Sequence, residues 1–327
     1  MTRFVIRRLL YLVIVLVIIT LVTYVIFFAG NASDLAGRFA GRDASPQEIK
    51  EAAVRLGLNH GFWYQYWHYL VGLLHGSFGL DFQNQVPINS EIARAFPVTA
   101  SLVLGASVIW LLIGIPIGIM SATHPRTLRD RAGTTFALTF LSMPTFVLGL
   151  LFLLVLYYYL TRAGFSWFPA VGYVPLTQSP IQWVVHLILP WFTLALVQAA
   201  VYTRLIRGSL LDVLGEDYIR TARAKGLNRR TVIYRHGVRA ALTPVVTQLG
   251  IDVGTLLAGA FVTEQVFGLT GLGQLALNAI RNSDLPVVAA VAVFLVHRYR
   301  SFKAAGASGP QDIALVTRRP PAEPKDP

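Results

Sequence analysis

The sequence predicts an all-α, polytopic membrane protein with about six transmembrane helices. Three observations carry that prediction. The composition is 54% hydrophobic and only 13% charged over 327 residues. Uncharged runs close to 20 residues long recur along the chain, and lysine and arginine are placed very unevenly. Soluble domains are about a quarter charged, so roughly half of the expected charge is missing. This composition excludes a disordered chain, a fibrous repeat and an ordinary cytosolic enzyme. The absence of cysteine excludes a disulfide scaffold, cysteine-ligated zinc, iron–sulfur clusters and thiol catalysis.

A bilayer core about 30 Å thick needs roughly 20 apolar residues in a helix. Residues 9–29 meet that length without a charge and follow Arg3, Arg7 and Arg8. The run exceeds the roughly 7–15 apolar residues of a cleaved signal peptide, so it reads as a retained anchor. Further uncharged segments lie at 98–122, 133–160, 183–202 and 242–262, the last interrupted only by Asp252. A sixth run, 286–296, covers only about 16 Å at 1.5 Å per residue. His297-Arg298-Tyr299-Arg300 interrupts it, and a Pro-, Gly- and charge-rich stretch continues to Pro327. Either Arg298 and Arg300 snorkel from a short, tilted helix, or the sixth span is truncated, as a reading-frame change near codon 296 would produce.

Cations set the expected topology. The N-terminus carries three, and Arg126, Arg129 and Arg131 follow the second span. The tail carries six, and the 204–239 segment carries nine: Arg204, Arg207, Arg220, Arg223, Lys225, Arg229, Arg230, Arg235 and Arg239. The opposite face holds seven: Arg38, Arg42, Lys50, Arg55, Arg94, Arg162 and Arg281. Both termini, the second-to-third loop and the fourth-to-fifth loop are therefore expected in the cytoplasm. The net charge of +12 is accounted for by this asymmetry, without nucleic acid as a partner.

The external segment, 30–97, is long enough to carry its own structure. Ser45-Pro46-Gln47-Glu48 reads as a helix start: Ser45 caps, Pro46 occupies the first helical position and Glu48 reaches back. That helix is expected to run through Ile49, Ala52, Ala53 and Leu56 and to stop at Gly57. A second stretch, 62–74, is rich in aromatics, either a headgroup-level belt or a docking surface for an external partner. His60, His68 and His75 have no carboxylate or cysteine to complete a metal site. On the cytoplasmic side, residues 216–227 read as a helix ending at a glycine cap. Asn228, Arg229 and Arg230 then open a second helix, 231–241, before Pro244 starts the next span. A helix–Gly–helix knob is more order than a solvated basic loop requires.

At these residues the chain resembles the permease subunits of ATP-binding-cassette importers. Their shared signature is Glu-Ala-Ala, three residues, Gly, about nine residues and an Ile-x-Leu-Pro segment. Arg220-Thr221-Ala222 stands at the first three positions and Gly226 at the glycine. Pro244 falls later than in the general pattern. The wording from Tyr218 to Leu227, with Arg235-His236 and Leu242-Thr243-Pro244, is similar to the dipeptide/oligopeptide and nickel branch, where this variation is usual. Further similar motifs are Arg7-Arg8-Leu9, Gly76-Ser77-Phe78-Gly79, Pro97-Val98-Thr99, Ser142-Met143-Pro144-Thr145-Phe146 and Glu264-Gln265-Val266-Phe267-Gly268. The resemblance covers roughly residues 1–296.

The resemblance implies the type I importer permease fold, with an N-terminal helix and external segment in 1–97, a permease core in 98–296 and a polar tail in 297–327. It implies a non-catalytic subunit of the bacterial inner membrane that forms half of a pathway for di- or oligopeptides. Its partners would be a second homologous permease, two cytoplasmic ATP-binding subunits and an external peptide-binding protein. Residues 217–236 would be the coupling helix seated in the ATPase, with Tyr218, Arg220, Thr221, Ala222, Arg223, Ala224, Lys225, Gly226, Leu227, Arg235 and His236 as its contacts. The chain contains no Gly-Lys dipeptide and hence no phosphate-cradling Walker loop, so ATP would be used by partner subunits and no cofactor or metal bound here.

Within the spans, Asp252 is an ionisable group near mid-membrane, where such groups usually face a partner or a wet cavity. It reads as a pathway residue or as one paired with polar neighbours of the partner permease. Pro144 and Pro190 interrupt spans and would kink them. Glu264, Gly268, Gly271 and Gly273 would form a re-entrant or external turn near the gate. Competing readings are a nickel or other small-solute importer, a stand-alone secondary carrier or channel, and a scaffold without transport. Gly306-Ala307-Ser308-Gly309 imitates an intramembrane serine protease motif, but it lies in the polar tail.

Overall fold

The computed structural model describes residues 32–41, 44–82, 84–169, 171–282, 284 and 286–295, with scattered positions between 10 and 25. The described positions of the first apolar run are helical. The rest of that run and everything from residue 296 onward lie outside the described residues. Twelve helices are used below: α1 (Ala32–Ala40), α2 (Pro46–Arg55), α3 (Phe62–Leu74), α4 (Ile88–Thr123), α5 (Leu128–Ser142), α6 (Thr145–Arg162), α7 (Pro180–Gly215), α8 (Asp217–Ala224), α9 (Arg229–Leu257), α10 (Phe261–Val266), α11 (Leu272–Arg281) and α12 (Pro286–Leu295). Four of them, α4, α6, α7 and α9, are long and apolar enough to cross a membrane. Helices α4 and α7 each contain 36 residues, about 54 Å at 1.5 Å per residue, so both overrun a 30 Å hydrocarbon core.

The chain divides into two compact units. The first holds residues 1–102, 168–187 and 258–298. Here α2 starts as its sequence predicts. The Ser45 hydroxyl accepts from the Glu48 N–H at 3.4 Å, and the Glu48 carboxylate accepts from the Ser45 N–H at 2.6 Å. Leu35, Ala36 and Phe39 of α1 pack with Ala52 and Phe82. A second core joins Ile88, Ile92 and Ala95 of α4 to Leu272 and Ala279 of α11 and to Val287, Ala290 and Val291 of α12.

Helix α3 carries its aromatics on two faces. Tyr66 is buried, bonding Thr20 Oγ1 at 3.1 Å and donating to Val17 O at 3.2 Å, while the Tyr24 hydroxyl donates to Gln65 Oε1 at 2.9 Å. Trp63, Tyr64 and Trp67 are exposed on the other side. The helix therefore lies along residues 17–24 of the first apolar run.

Asp284 fixes the start of α12. It is 3% exposed; its Oδ1 accepts from the Val287 N–H at 3.3 Å and its Oδ2 from the Phe82 N–H at 2.9 Å. Burial, and then the hydrogen bond its protonated form shares with neighbouring Asp81, push this carboxyl up to about 7 despite those two donors.

The described residues of the second unit are 103–167 and 188–257. Its central contact is between α4 and α7, and it depends on Gly114 and Gly118. A Cβ on Gly118 would stand 2.9 Å from both Ile206 Cβ and Thr203 O, and one on Gly114 2.9 Å from Ala199 O and Tyr202 Cβ. Four-residue spacing of small residues lets two helix backbones approach closely where no hydrophobic effect drives them together. Gly105 gives the Trp191 ring the same room.

Two sequence expectations are corrected in this unit. The 133–160 run is not one span. Helix α5 ends at Ser142, Met143 is extended at φ −92°, ψ 124°, and α6 begins after Pro144. Pro144 lacks an N–H and drives the preceding residue out of the helical region. Conversely, Pro244 does not begin a new helix. It lies inside a helix that runs through a π-helical stretch, Val232–Val238, and on through Arg239–Gly259. The loosened turn beside it is served by Ser209 Oγ, which donates to Ala241 O at 3.2 Å, one of the ways in which spans tolerate proline.

Two outcomes follow. Gly118→Leu overpacks the α4–α7 contact and lowers unfolding stability in detergent by about 1–3 kcal/mol, whereas Leu112→Ile, on the exposed side of the same helix, leaves the thermal midpoint unchanged. Because the folded state raises the Asp284 carboxyl to about 7, its stabilising contribution is complete below about pH 4 and is lost as pH rises through about 7. Protection of the Phe82 amide, corrected for intrinsic exchange, should fall between pH 5 and pH 8, and Asp284→Asn should flatten that dependence.

Candidate functional site: a helical knob and its anchor

The knob is built on α8. Ile219 and Ala222, three residues apart, are buried against Val232 with Val213 and Leu214 alongside. This one-sided burial leaves Tyr218, Arg220, Thr221, Arg223, Ala224, Lys225, Gly226 and Leu227 exposed. Asp217 in the first turn and Arg223 in the last complement the helix dipole. Gly226 at φ +78° closes the helix: its N–H bonds Arg223 O at 2.9 Å and the Leu227 N–H bonds Ala222 O at 3.4 Å. This pair of bonds is the Schellman arrangement, which favours glycine at the left-handed position. Asn228 then caps α9, its Oδ1 accepting from the Arg230 N–H at 3.1 Å.

Of the predicted coupling contacts, only Ala222 is buried; the others on α8 and its turn face outward. Arg235 is exposed and His236 half-buried on the π-helical stretch. With Tyr218, Arg239 and Ala240 they line an open hollow of about 590 Å³. Cations dominate this surface, and Leu227 and Tyr218 supply its apolar patches. A cationic rim around small and apolar residues can receive a partner that brings carboxylates to the edge and an apolar groove to the centre.

An anchor that sequence reasoning missed lies on α5. Asp130, 6% exposed, accepts from Arg207 Nε at 2.7 Å and Nη2 at 3.0 Å, from the Arg126 N–H at 2.9 Å and from the Ser121 hydroxyl. One carboxylate thus ties α4, α5 and α7 together. The Arg207 and Ser121 hydrogen bonds hold it well below the usual carboxylate range. The Arg229 guanidinium, at the foot of the knob, donates to Thr123 O at 3.2 Å. The available signal was a single acid in the basic run from Arg126 to Arg131, the one residue there that opposes the positive-inside trend.

Of the predicted pathway residues, Pro144 and Asp252 lie in the second unit and Glu264 and Gly268 in the first. Asp252 accepts from the buried Tyr202 hydroxyl at 3.0 Å and from Gln248 Nε2 at 2.8 Å. Pro144 is exposed at the α5–α6 break, and its carbonyl accepts from Val147 and Leu148. Glu264 is fully buried. It accepts from Thr99 Oγ1 at 2.5 Å and from the Gln274 N–H at 3.0 Å, while Thr99 accepts from the Leu272 N–H at 2.8 Å. Glu264 therefore caps α11, whose own cap, Gly271, offers no side chain. Gly268, at φ +58°, turns the chain just before it.

Residues 114–297 match the family described as binding-protein-dependent transport system inner membrane component, and residues 1–103 match its N-terminal companion. The chain belongs to this family. It is 38% identical over 291 residues to the glutathione transport system permease protein GsiC of Salmonella choleraesuis, covering 89% of this chain and 90% of that protein. It is 35% identical over 306 residues to the dipeptide transport system permease protein DppB of Escherichia coli K12, covering 88% and 90%. The fold is similar to an inward-facing structure of the MetNI methionine ABC transporter, with TM-score 0.53, 20% identity and coverage of 70% of this chain and 97% of that one. This chain is thus a non-catalytic, multi-pass permease subunit of an ATP-driven importer of the dipeptide/oligopeptide type, an inner-membrane component. The family implies ATPase subunits and a substrate-binding protein as partners.

Removing one member of the permease's anchor leaves a charge without its partner. Asp130→Ala and Arg207→Ala should each lower stability by about 1–3 kcal/mol, and the double variant should lose clearly less than the sum. Thermal unfolding of the purified permease in one detergent measures all three.

Proposed function

We propose that this permease carries short peptides and is driven through the knob at residues 217–236. The observation that supports the coupling reading is the division of α8. Ile219 and Ala222 fix it to the chain, and every other face of the helix and its turn stays open. On this reading Tyr218, Arg220, Thr221, Arg223, Ala224, Lys225, Gly226 and Leu227 enter the groove of an ATP-binding subunit, and Arg235 and His236 meet its rim. Two such subunits hydrolyse ATP, a second homologous permease supplies the other half of the pathway, and an external binding protein delivers the substrate. This chain itself binds no cofactor.

The named relatives handle glutathione and dipeptides, both short peptides, which favours that substrate class over a metal ion. Residues 1–97 form the N-terminal helix with its external segment, 98–296 the permease core and 297–327 the cytoplasmic tail. The cation distribution supports cytoplasmic placement of both termini. Asp252 and the Pro144 break contribute to the pathway. Glu264 and Gly268 act at the gate by holding the α10–α11 turn rather than by touching substrate. Movement of the ATP-binding subunits would displace the knobs as rigid bodies and switch access between the two faces.

Affinity purification of the tagged permease from mild-detergent membranes tests the coupling step. Gly226→Pro removes both the positive φ and the N–H that bonds Arg223 O, so α8 loses its terminus. The wild-type chain should bring down an ATPase and a second permease, and the variant should retain only the permease. An ATPase that stays bound to the variant would remove the knob from the mechanism.

A further inference from the structure

The external segment encloses a cavity of about 430 Å³ between α2, α3 and the 77–82 loop, within the usual size range of small-ligand sites. Its walls are largely apolar and aromatic, including Leu35, Leu58, Tyr64 and Phe78. Three potential cations also line it: Arg55, His60 and His68. No aspartate or glutamate is among the described residues of the lining, and Arg55 has no carboxylate partner among the described residues. Arg55 is exposed beside this apolar hollow, and a guanidinium next to apolar walls with no acid among the described lining residues offers a site for an anion with an apolar body.

Depth identifies the source of that anion. The cavity includes Tyr24, which lies in the outer part of the first apolar run. Helix α3 is hydrogen-bonded along residues 17–24 of the same run through Tyr66 and Gln65. Its exposed Trp63 and Trp67 are the amphipathic rings that settle at headgroup level. An open hollow at that level meets lipid headgroups before it meets dilute solutes. We infer that the cavity holds one anionic phospholipid of the outer leaflet, its phosphate on Arg55 with His60 and His68 alongside, and its glycerol and upper acyl carbons against the aromatic wall.

Native mass spectrometry of the full-length permease, released from one detergent and titrated with phosphatidylglycerol, phosphatidylcholine or inorganic phosphate, reads this directly. Wild type should retain one phosphatidylglycerol at concentrations where phosphatidylcholine is lost. Arg55→Gln should weaken that retention about fivefold, the worth of one interfacial cation, and Arg55→Lys should keep most of it. Arg55 is exposed, and an unchanged thermal midpoint in Arg55→Gln confirms that folding is intact. Equal retention of both lipids, or no effect of Arg55→Gln, overturns the proposal. Displacement of phosphatidylglycerol by millimolar phosphate also overturns it, because the site would then be one for a free anion.

Discussion

A backbone N–H or C=O without a partner in hydrocarbon costs several kcal/mol, and the irregular parts of this permease are organised around that cost. Three breaks in regular helix are each closed by a buried carboxylate that accepts from backbone: Asp130 from Arg126, Glu264 from Gln274, and Asp284 from Phe82 and Val287. Each is exposed by 6% or less. A carboxylate offers several acceptor sites, so each can also take a side-chain donor or a second element. Asp130 thereby holds three helices, Glu264 holds Thr99, and Asp284 joins a loop to a helix.

The same rule separates the parts of the fold that the sequence revealed from those it concealed. Uncharged length and cation placement are local properties, so the spans in α4, α7 and α9 and the knob could be read directly. Gly226 was legible because a glycine after a run of helix-forming residues has one common meaning. Pro144 and Pro244 look alike in sequence, each lying within a largely apolar stretch with a hydroxyl residue one or two positions before it. They differ in the structure: Met143 is extended before Pro144, whereas the helix continues through Pro244, where Ser209 Oγ donates to the nearby Ala241 O. That difference is tertiary. Glu264 was noticed as a lone acid near glycines, but its capping role depends on Thr99, 165 residues away. Asp252 stood out as a lone acid in an apolar run, but the Tyr202 hydroxyl that bonds it is 50 residues off in the same chain.

The knob and its anchor meet different mechanical demands. On the proposed coupling reading, α8 must keep its own shape against a partner, and two buried residues with a closed glycine turn let it do so. On the same reading, force received there must pass into the spans. Arg229 on Thr123 O and Asp130 among α4, α5 and α7 provide polar, directional ties beside the apolar packing. Directional ties resist sliding, which apolar contact alone does not.

The α4–α7 contact has a consequence for how this protein can vary over time. At Gly114 and Gly118 the facing backbone leaves no room for a side chain, so nearly every codon change there is removed by selection. On the opposite side of the same helix, Leu104, Val108 and Leu112 are more than half exposed and need only remain apolar. A single helix thus carries one face expected to change among apolar residues and another expected to keep its glycines. The ratio of the two rates, measured across descendants of this gene, would trace the helix–helix seam without any coordinates.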